Sequence, residues 1–168
     1  MTDAVASAAE PAVVVPPGLP ILEAAAWVGH ACWAELRFHE TLTRWLAIEA
    51  DPAVAVTLWA VRAHRAELAE AWHRRLPELR EFPRDQFVRS SREADDGFAA
   101  LDALTTPEAT SERVDALTAA LGRMTDHYQQ HAAVAVGPAD APVADTLRLA
   151  IARTQADLAL LHELVVRA

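Results

Sequence analysis

The sequence predicts an all-α protein, and three observations carry that prediction. Four long stretches place apolar residues three and four positions apart, the spacing that gives a helix one apolar face. Proline, glycine and capping residues stand at the ends of these stretches. The first two stretches almost touch in the sequence, whereas residues 77–106 separate the second from the third. We therefore expect a four-helix bundle with a long crossover between its second and third helices.

Length and composition set the outer limits. The 168 residues suit one domain. Residues 1–18 are rich in Ala, Val and Pro and lack the basic start of a secretion signal, so we expect a flexible N-terminal arm ahead of a bundle domain at 19–168. No apolar run reaches the roughly 18 residues of a membrane span. A cytoplasmic protein without membrane contact is the expectation.

Charge and cysteine content exclude some functions. The net charge of −9 disfavours nucleic-acid binding, which depends on excess positive charge. All fifteen basic residues are Arg. The single cysteine, Cys32, excludes an internal disulfide and a metal site built from several thiolates. There is no glycine-rich phosphate loop and no nucleophile with a base placed nearby.

The first two helices are expected to form an antiparallel pair. The first runs from Leu19 to Ala50, and the pair Asp51-Pro52 then supplies an N-cap and a first-turn proline for the second. The second helix, from Pro52 to Leu76, has an apolar stripe of Val54, Leu58, Val61, Leu68 and Trp72.

The second half of the chain is expected to form two more long helices after a long connection. The connection contains a short helix from Ser91 to Leu104, with Phe98, Leu101 and Leu104 on one side. The third long helix is expected from Pro107 or Ser111 to Val136, and the fourth from Pro142 to Val166. A connection of this length can cross a bundle from end to end, which favours parallel second and third helices.

Polar residues interrupt the apolar stripes and indicate a shared site. They are Glu35, His39, His64, Tyr128 and His131, with Asp157 at the edge of the last stripe. Buried polar groups need a hydrogen bond, a charged partner or a metal. His39 and His64 lie twelve and thirteen residues from Asp51, hence at similar depth. Two interpretations stay open: an interhelical His39–His64 hydrogen bond, or a metal site of Glu35, His39, His64 and His131. In either case Tyr128 and Asp157 complete a polar core.

The arginines and tryptophans have simpler expected roles. Arg37, Arg44, Arg62 and Arg65 are expected on a solvated face with acidic partners such as Glu40 and Glu67. Trp27 and Trp59 fall off the main stripes, and exposed aromatic residues mark interfaces, so we expect a homodimer through a tryptophan-bearing helix face.

The helix pattern and two segments carry a family resemblance. AHRAELAEAWHRRLPEL and YQQHAAVAVGPADAPVADTLRLAIARTQADLALL resemble a poorly characterised actinobacterial branch of the ferritin-like superfamily. Di-iron members place a Glu on two helices and a Glu-x-x-His on the other two. Here Glu35 matches the first Glu, while the only Glu-x-x-His is at residues 70–73, so the di-iron motif is degenerate.

The resemblance implies two function classes. The first is a metal-free ferritin-like bundle that acts as a binding or interaction protein, and it is the one we favour. The second is a metal-dependent enzyme or a small-molecule-binding member of the ferritin-like or DinB-like class, with iron or another divalent metal held by the histidines.

Overall fold

The computed structural model describes residues 16–167, apart from the side chain of Arg167, and contains no strand in that range. Its helices are α1 (Ile21–Leu46), α2 (Pro52–His73), α3 (Arg92–Asp102), α4 (Thr110–Val134) and α5 (Ala141–Arg167). Two short 3-10 turns occupy Arg84–Phe87 and Pro138–Asp140. The all-α prediction is confirmed, and the helix ends lie within a few residues of those expected. The predicted arm falls almost wholly on residues 1–15, outside the described part of the chain.

Local sequence explains where the helices begin. The Asp51 side chain accepts hydrogen bonds from the backbone N–H groups of Ala53 and Val54, at 2.8 and 3.3 Å, so it caps α2 as expected. Ser91 caps α3 in the same way, accepting from the Ala94 N–H at 3.2 Å. Between α4 and α5, the Gly137 N–H donates to the Asp140 carboxylate at 2.9 Å. Each cap satisfies an N–H group that has no partner within its own helix.

Contacts between distant residues fix the helix directions. Arg113, at the start of α4, pairs with Glu49 beside the α1–α2 turn at 2.6 Å. Near the other end, the indole N–H of Trp72 on α2 donates to the Tyr128 hydroxyl on α4 at 3.3 Å. The two helices α2 and α4 therefore run in the same direction.

Helix α5 returns along α2 in the opposite direction. Arg75 donates to the Thr146 hydroxyl at 2.9 Å, and His64 meets Asp157 at 2.7 Å. Residue numbers along α2 therefore increase as those of the facing α5 residues decrease, so the two helices are antiparallel. This alignment brings the middle of α5 against the middle of α2, where the candidate site lies.

The connection packs α3 against α1. The Phe98 and Phe38 ring centroids are 4.8 Å apart, and Asp102 accepts from Thr41 at 2.7 Å and from Arg37 at 2.5 Å. Upstream, the backbone at Phe87 comes so close to Gly29 that an added Cβ would lie 1.9 Å from the Phe87 oxygen. Glycine at position 29 is therefore required for the connection to lie on α1.

Two arginines are buried, and one of them, Arg65, departs from the sequence expectation. Arg65 and Arg113 are fully buried, so the expected place of Arg65 on a solvated face is wrong. Arg37 does pair with Glu40 at the surface, at 2.5 Å. Buried Arg113 is held by Glu49 and by the Thr106 carbonyl, which accepts from its Nη1 at 2.6 Å. A buried guanidinium needs such partners because its desolvation is costly.

The surface carries one of the two tryptophans proposed for a dimer face. Trp59 on α2 is 59% exposed, whereas Trp27 on α1 stacks on His131 within the same chain. The homodimer stays a prediction. No helix within residues 16–167 combines the length and apolarity needed to cross a membrane.

Candidate functional site

A layer of polar side chains lies between the four long helices, and Arg65 is at its centre. The Arg65 guanidinium donates from Nη1 to Glu35 on α1 at 3.2 Å and to Thr154 on α5 at 3.1 Å. Its Nη2 pairs with Asp157 on α5, and Tyr128 on α4 donates to Glu35. All five side chains are fully buried. This polar layer therefore joins all four long helices.

The polar layer reaches the surface between α2 and α5. His64 Nδ1 lies 2.7 Å from Asp157 Oδ1, and its Nε2 lies 3.4 Å from Arg153 Nη1. The His64 side chain is 22% exposed, and Arg153 also faces Glu67 at 3.6 Å. The buried charges thus have a chain of contacts that leads to solvent.

Burial decides the protonation of the polar layer. Desolvation raises the pKa of Glu35 against the opposing effect of Arg65. Burial also acts to lower the pKa of Arg65, but Glu35 and Asp157 outweigh it and the pKa rises. The pKa of Tyr128 is raised well above its usual value, first by burial and then by Glu35. The raised pKa of Glu35 means that burial disfavours a second carboxylate charge beside the Arg65–Asp157 pair, which is neutral as a unit.

The structure brings together four of the six residues singled out from the sequence. Glu35, His64, Tyr128 and Asp157 belong to the polar layer. His131 lies among aromatic rings instead, and no hydrogen bond among the described residues joins the His39 side chain to the layer.

The observed contacts can be compared with each of the two interpretations of these histidines. Both ring nitrogens of His64 face α5 residues, so the expected His39–His64 hydrogen bond is not formed among the described residues. Within residues 16–167, no three His, Cys, Asp or Glu side chains are placed to hold a metal ion together. The proposed ligands Glu35, His39, His64 and His131 are therefore not assembled into one centre.

Arg65 is the residue that sequence reasoning missed, and a signal for it existed. Val54, Leu58, Val61, Leu68 and Trp72 are spaced four, three, seven and four residues apart. A regular alternation of three and four places position 65 inside the seven-residue gap, on the buried stripe. The charge of the side chain concealed an otherwise regular core position.

A second cluster stacks imidazole and indole rings between α1 and α4. The His131 ring lies between Trp27 and Trp72, with centroids 5.0 and 6.0 Å away. His127 packs against Trp27 at 5.0 Å and edge-on against His30 at 4.8 Å. These five residues, called here the imidazole cluster, close the α1–α4 contact beside the polar layer.

Burial keeps the imidazole cluster uncharged at neutral pH. Desolvation lowers the pKa of His131 to about 4, against an opposing effect of Asp140. Desolvation, then the nearby His30 and His131, lower the pKa of His127 to about 4. The pKa of His30 is lowered by burial as well. Among the buried ring nitrogens, His127 Nε2 and His131 Nδ1 have no hydrogen-bond partner.

A cleft of about 400 Å³ opens beside the imidazole cluster, between α1, α3 and α4. At one end it meets His30 and His127; at the other it meets buried Phe38 and Leu101. The other lining side chains are mostly small or apolar. The cleft is lined by His30, Ala34, Phe38, Ser91, Glu93, Ala94, Gly97, Phe98, Leu101, Ala120, Arg123, Met124 and His127.

A smaller cavity is lined by the same two histidines, His30 and His127. It has a volume of about 210 Å³ and is lined by Glu23, Ala26, Trp27, His30 and His127. His30 and His127 therefore line both the cleft and this cavity.

Comparison with known proteins gives no assignment: the chain matches no protein-family model, no curated protein and no solved structure.

Proposed function

We propose that this protein is a metal-free helical bundle of ferritin-like topology that binds a small molecule in the cleft between α1, α3 and α4. The main support for this proposal is the cleft itself. Its volume of about 400 Å³ falls within the range of small-molecule sites, and it combines an apolar floor with a few polar groups, as such sites do.

The polar layer supports the metal-free part of the proposal. Arg65 lies between Glu35 and Asp157. A divalent cation that bound both carboxylates would have to occupy the same place. A guanidinium there repels a second cation and already uses the carboxylate oxygens that face it. The layer then acts as a register device, since the contacts of Arg65 with Glu35, Thr154 and Asp157 form in one alignment of the helices only.

The directions of the long helices support the ferritin-like part. Parallel α2 and α4, joined by residues 74–109, are the arrangement expected of a bundle with one crossover. In a di-iron bundle each helix supplies a carboxylate or histidine ligand. In this chain α2 supplies Arg65 and α4 supplies Tyr128 to the polar layer, which accounts for the degenerate motif.

The outer wall of the cleft is held in place without a ligand. Phe98 on α3 packs edge-on against Trp33 at 5.3 Å and Phe38 at 4.8 Å. At the end of α3, Asp102 is bound by Arg37, Arg44 and Thr41 of α1. A wall fixed in this way lowers the ordering cost of binding.

Two glycines offer a matched test. A Cβ added at Gly97, which lines the cleft, or at Gly122, which does not, would meet no atom within 4 Å. We expect the Gly97→Leu side chain to occupy the cleft and the Gly122→Leu side chain to leave it open. A thermal-shift screen of small molecules with apolar bodies should raise Tm for the wild type and Gly122→Leu, and not for Gly97→Leu.

Two outcomes of the screen would contradict the proposal. Equal shifts in both leucine variants would place binding elsewhere on the molecule. A diverse panel that leaves the wild-type Tm unchanged would remove the proposal. Circular dichroism of both variants checks that the helices are retained.

A further inference from the structure

We propose that the ligand of this cleft is a small organic monoanion with an apolar body, whose carboxylate binds Arg123 while its body lies against Phe38, Phe98 and Leu101. The inference rests on the proposed function and deepens it by naming the ligand class.

Arg123 supplies the charge. It is the only Arg among the lining residues, and it forms none of the ion pairs found within residues 16–167. Many other exposed arginines do have partners, as Arg148 has in Asp145. A guanidinium without a protein partner can bind a carboxylate through two parallel hydrogen bonds.

The acid that also lines the cleft is balanced by its own helix. Glu93 lies in the first turn of α3, where the positive end of the helix dipole stabilises a carboxylate. The Ser91 hydroxyl is already used to cap the same helix. Arg123, in the middle of α4, has no comparable compensation. Arg123 is therefore the lining charge with the least compensation from its own helix.

His127 adds a neutral hydrogen-bonding group one turn from Arg123 on the same face of α4. Its Nε2 is buried and has no partner. Because the ring is uncharged at neutral pH, it can donate one hydrogen bond from Nε2–H without adding a second charge. The Arg123–His127 pair thus carries a single positive charge, which matches a monoanion.

The rest of the cleft fits an apolar body of limited length. His30 and Phe38 on α1 are eight residues apart, which corresponds to a slot of about 12 Å. The end away from the histidines is formed by Phe38, Phe98 and Leu101, all buried. We therefore expect a chain of medium length, or one ring with a short substituent, and use octanoate as the probe.

The test compares three eight-carbon probes that differ in the head group alone. Isothermal titration at pH 7.5 should give octanoate an affinity about tenfold higher than 1-octanol, and 1-octanol an affinity at least equal to octylamine. In Arg123→Gln, the affinity for octanoate should fall to that of 1-octanol, while 1-octanol binding is unchanged. Arg92→Gln removes a nearby charge that does not line the cleft and should alter octanoate binding less than twofold.

The outcomes separate this inference from the proposed function. If all three probes bind the wild type equally, or octylamine binds best, the cleft binds apolar molecules but the monoanion assignment is wrong. If Arg92→Gln weakens octanoate binding as much as Arg123→Gln does, the overall electrostatic field of the protein attracts octanoate, and a direct contact with Arg123 does not. If no probe binds the wild type, and Gly97→Leu gives the same thermal shifts as the wild type in the small-molecule screen, the proposed function fails together with the inference.

Discussion

Arg65 Nη1 lies 3.2 Å from Glu35 Oε1, and both side chains are fully buried. This contact links α1 to α2 at the centre of the polar layer, and the other Arg65 nitrogen binds Asp157 on α5. One guanidinium thus holds three helices in a single alignment. The stability of the bundle should depend on this cation more than on any surface charge.

Replacing Arg65 with Ala should destabilise the protein by roughly 3–5 kcal/mol, because a buried carboxylate is left without its counter-charge. Urea denaturation followed by circular dichroism measures the loss. Arg74→Ala, which removes a 65% exposed side chain paired with Glu70, is the control and should cost less than about 1 kcal/mol. A similar small loss for Arg65→Ala would show that the polar layer does not organise the bundle.

Glu35→Gln should change how stability depends on pH. The raised pKa of Glu35, caused by burial, means that the folded state holds this proton more tightly than the unfolded state. Its contribution is fully present below the unfolded pKa near 4.5 and is lost as pH rises through the folded pKa. The Gln variant, which keeps the shape without titrating, should lose less stability than the wild type between pH 5 and pH 8. Parallel pH profiles of the two proteins would contradict the raised pKa of Glu35.

The imidazole cluster predicts the opposite behaviour in acid. Burial lowers the pKa of His131 to about 4. Between pH 6.5 and 4 the unfolded state therefore binds a proton at this residue that the folded state does not bind. Stability should therefore fall as pH decreases through that window. The shift corresponds to roughly 3 kcal/mol from His131.

His131→Phe tests this contribution. Phenylalanine retains a ring between Trp27 and Trp72 and removes the unpartnered Nδ1. The variant should lose clearly less stability than the wild type from pH 6.5 to 4, as measured by urea denaturation at each pH. Unchanged acid sensitivity would place the responsible group elsewhere, and His127→Phe would then be the next variant to compare.

Two helical glycines should respond to alanine in opposite directions. Gly122→Ala adds a methyl group into open space and should stabilise the protein by about 0.5–1 kcal/mol, since Gly is the weaker helix former. Gly29→Ala would bring a Cβ to 1.9 Å from the Phe87 carbonyl oxygen, so the connection must move and Tm should drop. Thermal unfolding of both variants, each referred to the wild type, reports the two signs. A stabilised Gly29→Ala would mean that residues 84–87 do not pack on α1.

The sequence predicted the helices because each carries its own periodic signal. The Asp51-Pro52 start of α2 and the apolar repeat from Val114 to His131 are local patterns that need no tertiary information. The polar core was predictable in part, since Glu35 and Tyr128 interrupt such repeats. Their partner Arg65 was not recognised, because a charged residue on a helix is usually at the surface.

The cleft could not be predicted from the sequence in the same way. Its outer wall is α3, whose position depends on where the 74–109 connection packs, and no local pattern encodes that. Arg123 and His30 have ordinary positions in their helices and become notable only through their neighbours across the cleft. Sites assembled from several helices lack a sequence signature unless their residue types are unusual.

Methionine labelling tests binding in the cleft most directly. The chain has two methionines: Met124, which lines the cleft and is 6% exposed, and Met1, outside the described residues. In protein labelled with [methyl-13C]methionine, Met124→Leu assigns the cleft signal. Addition of octanoate should shift the Met124 methyl resonance in a saturable way and leave any Met1 signal in place. A Met124 resonance that stays fixed while octanoate binds elsewhere, or does not bind, would contradict a binding site between α1, α3 and α4.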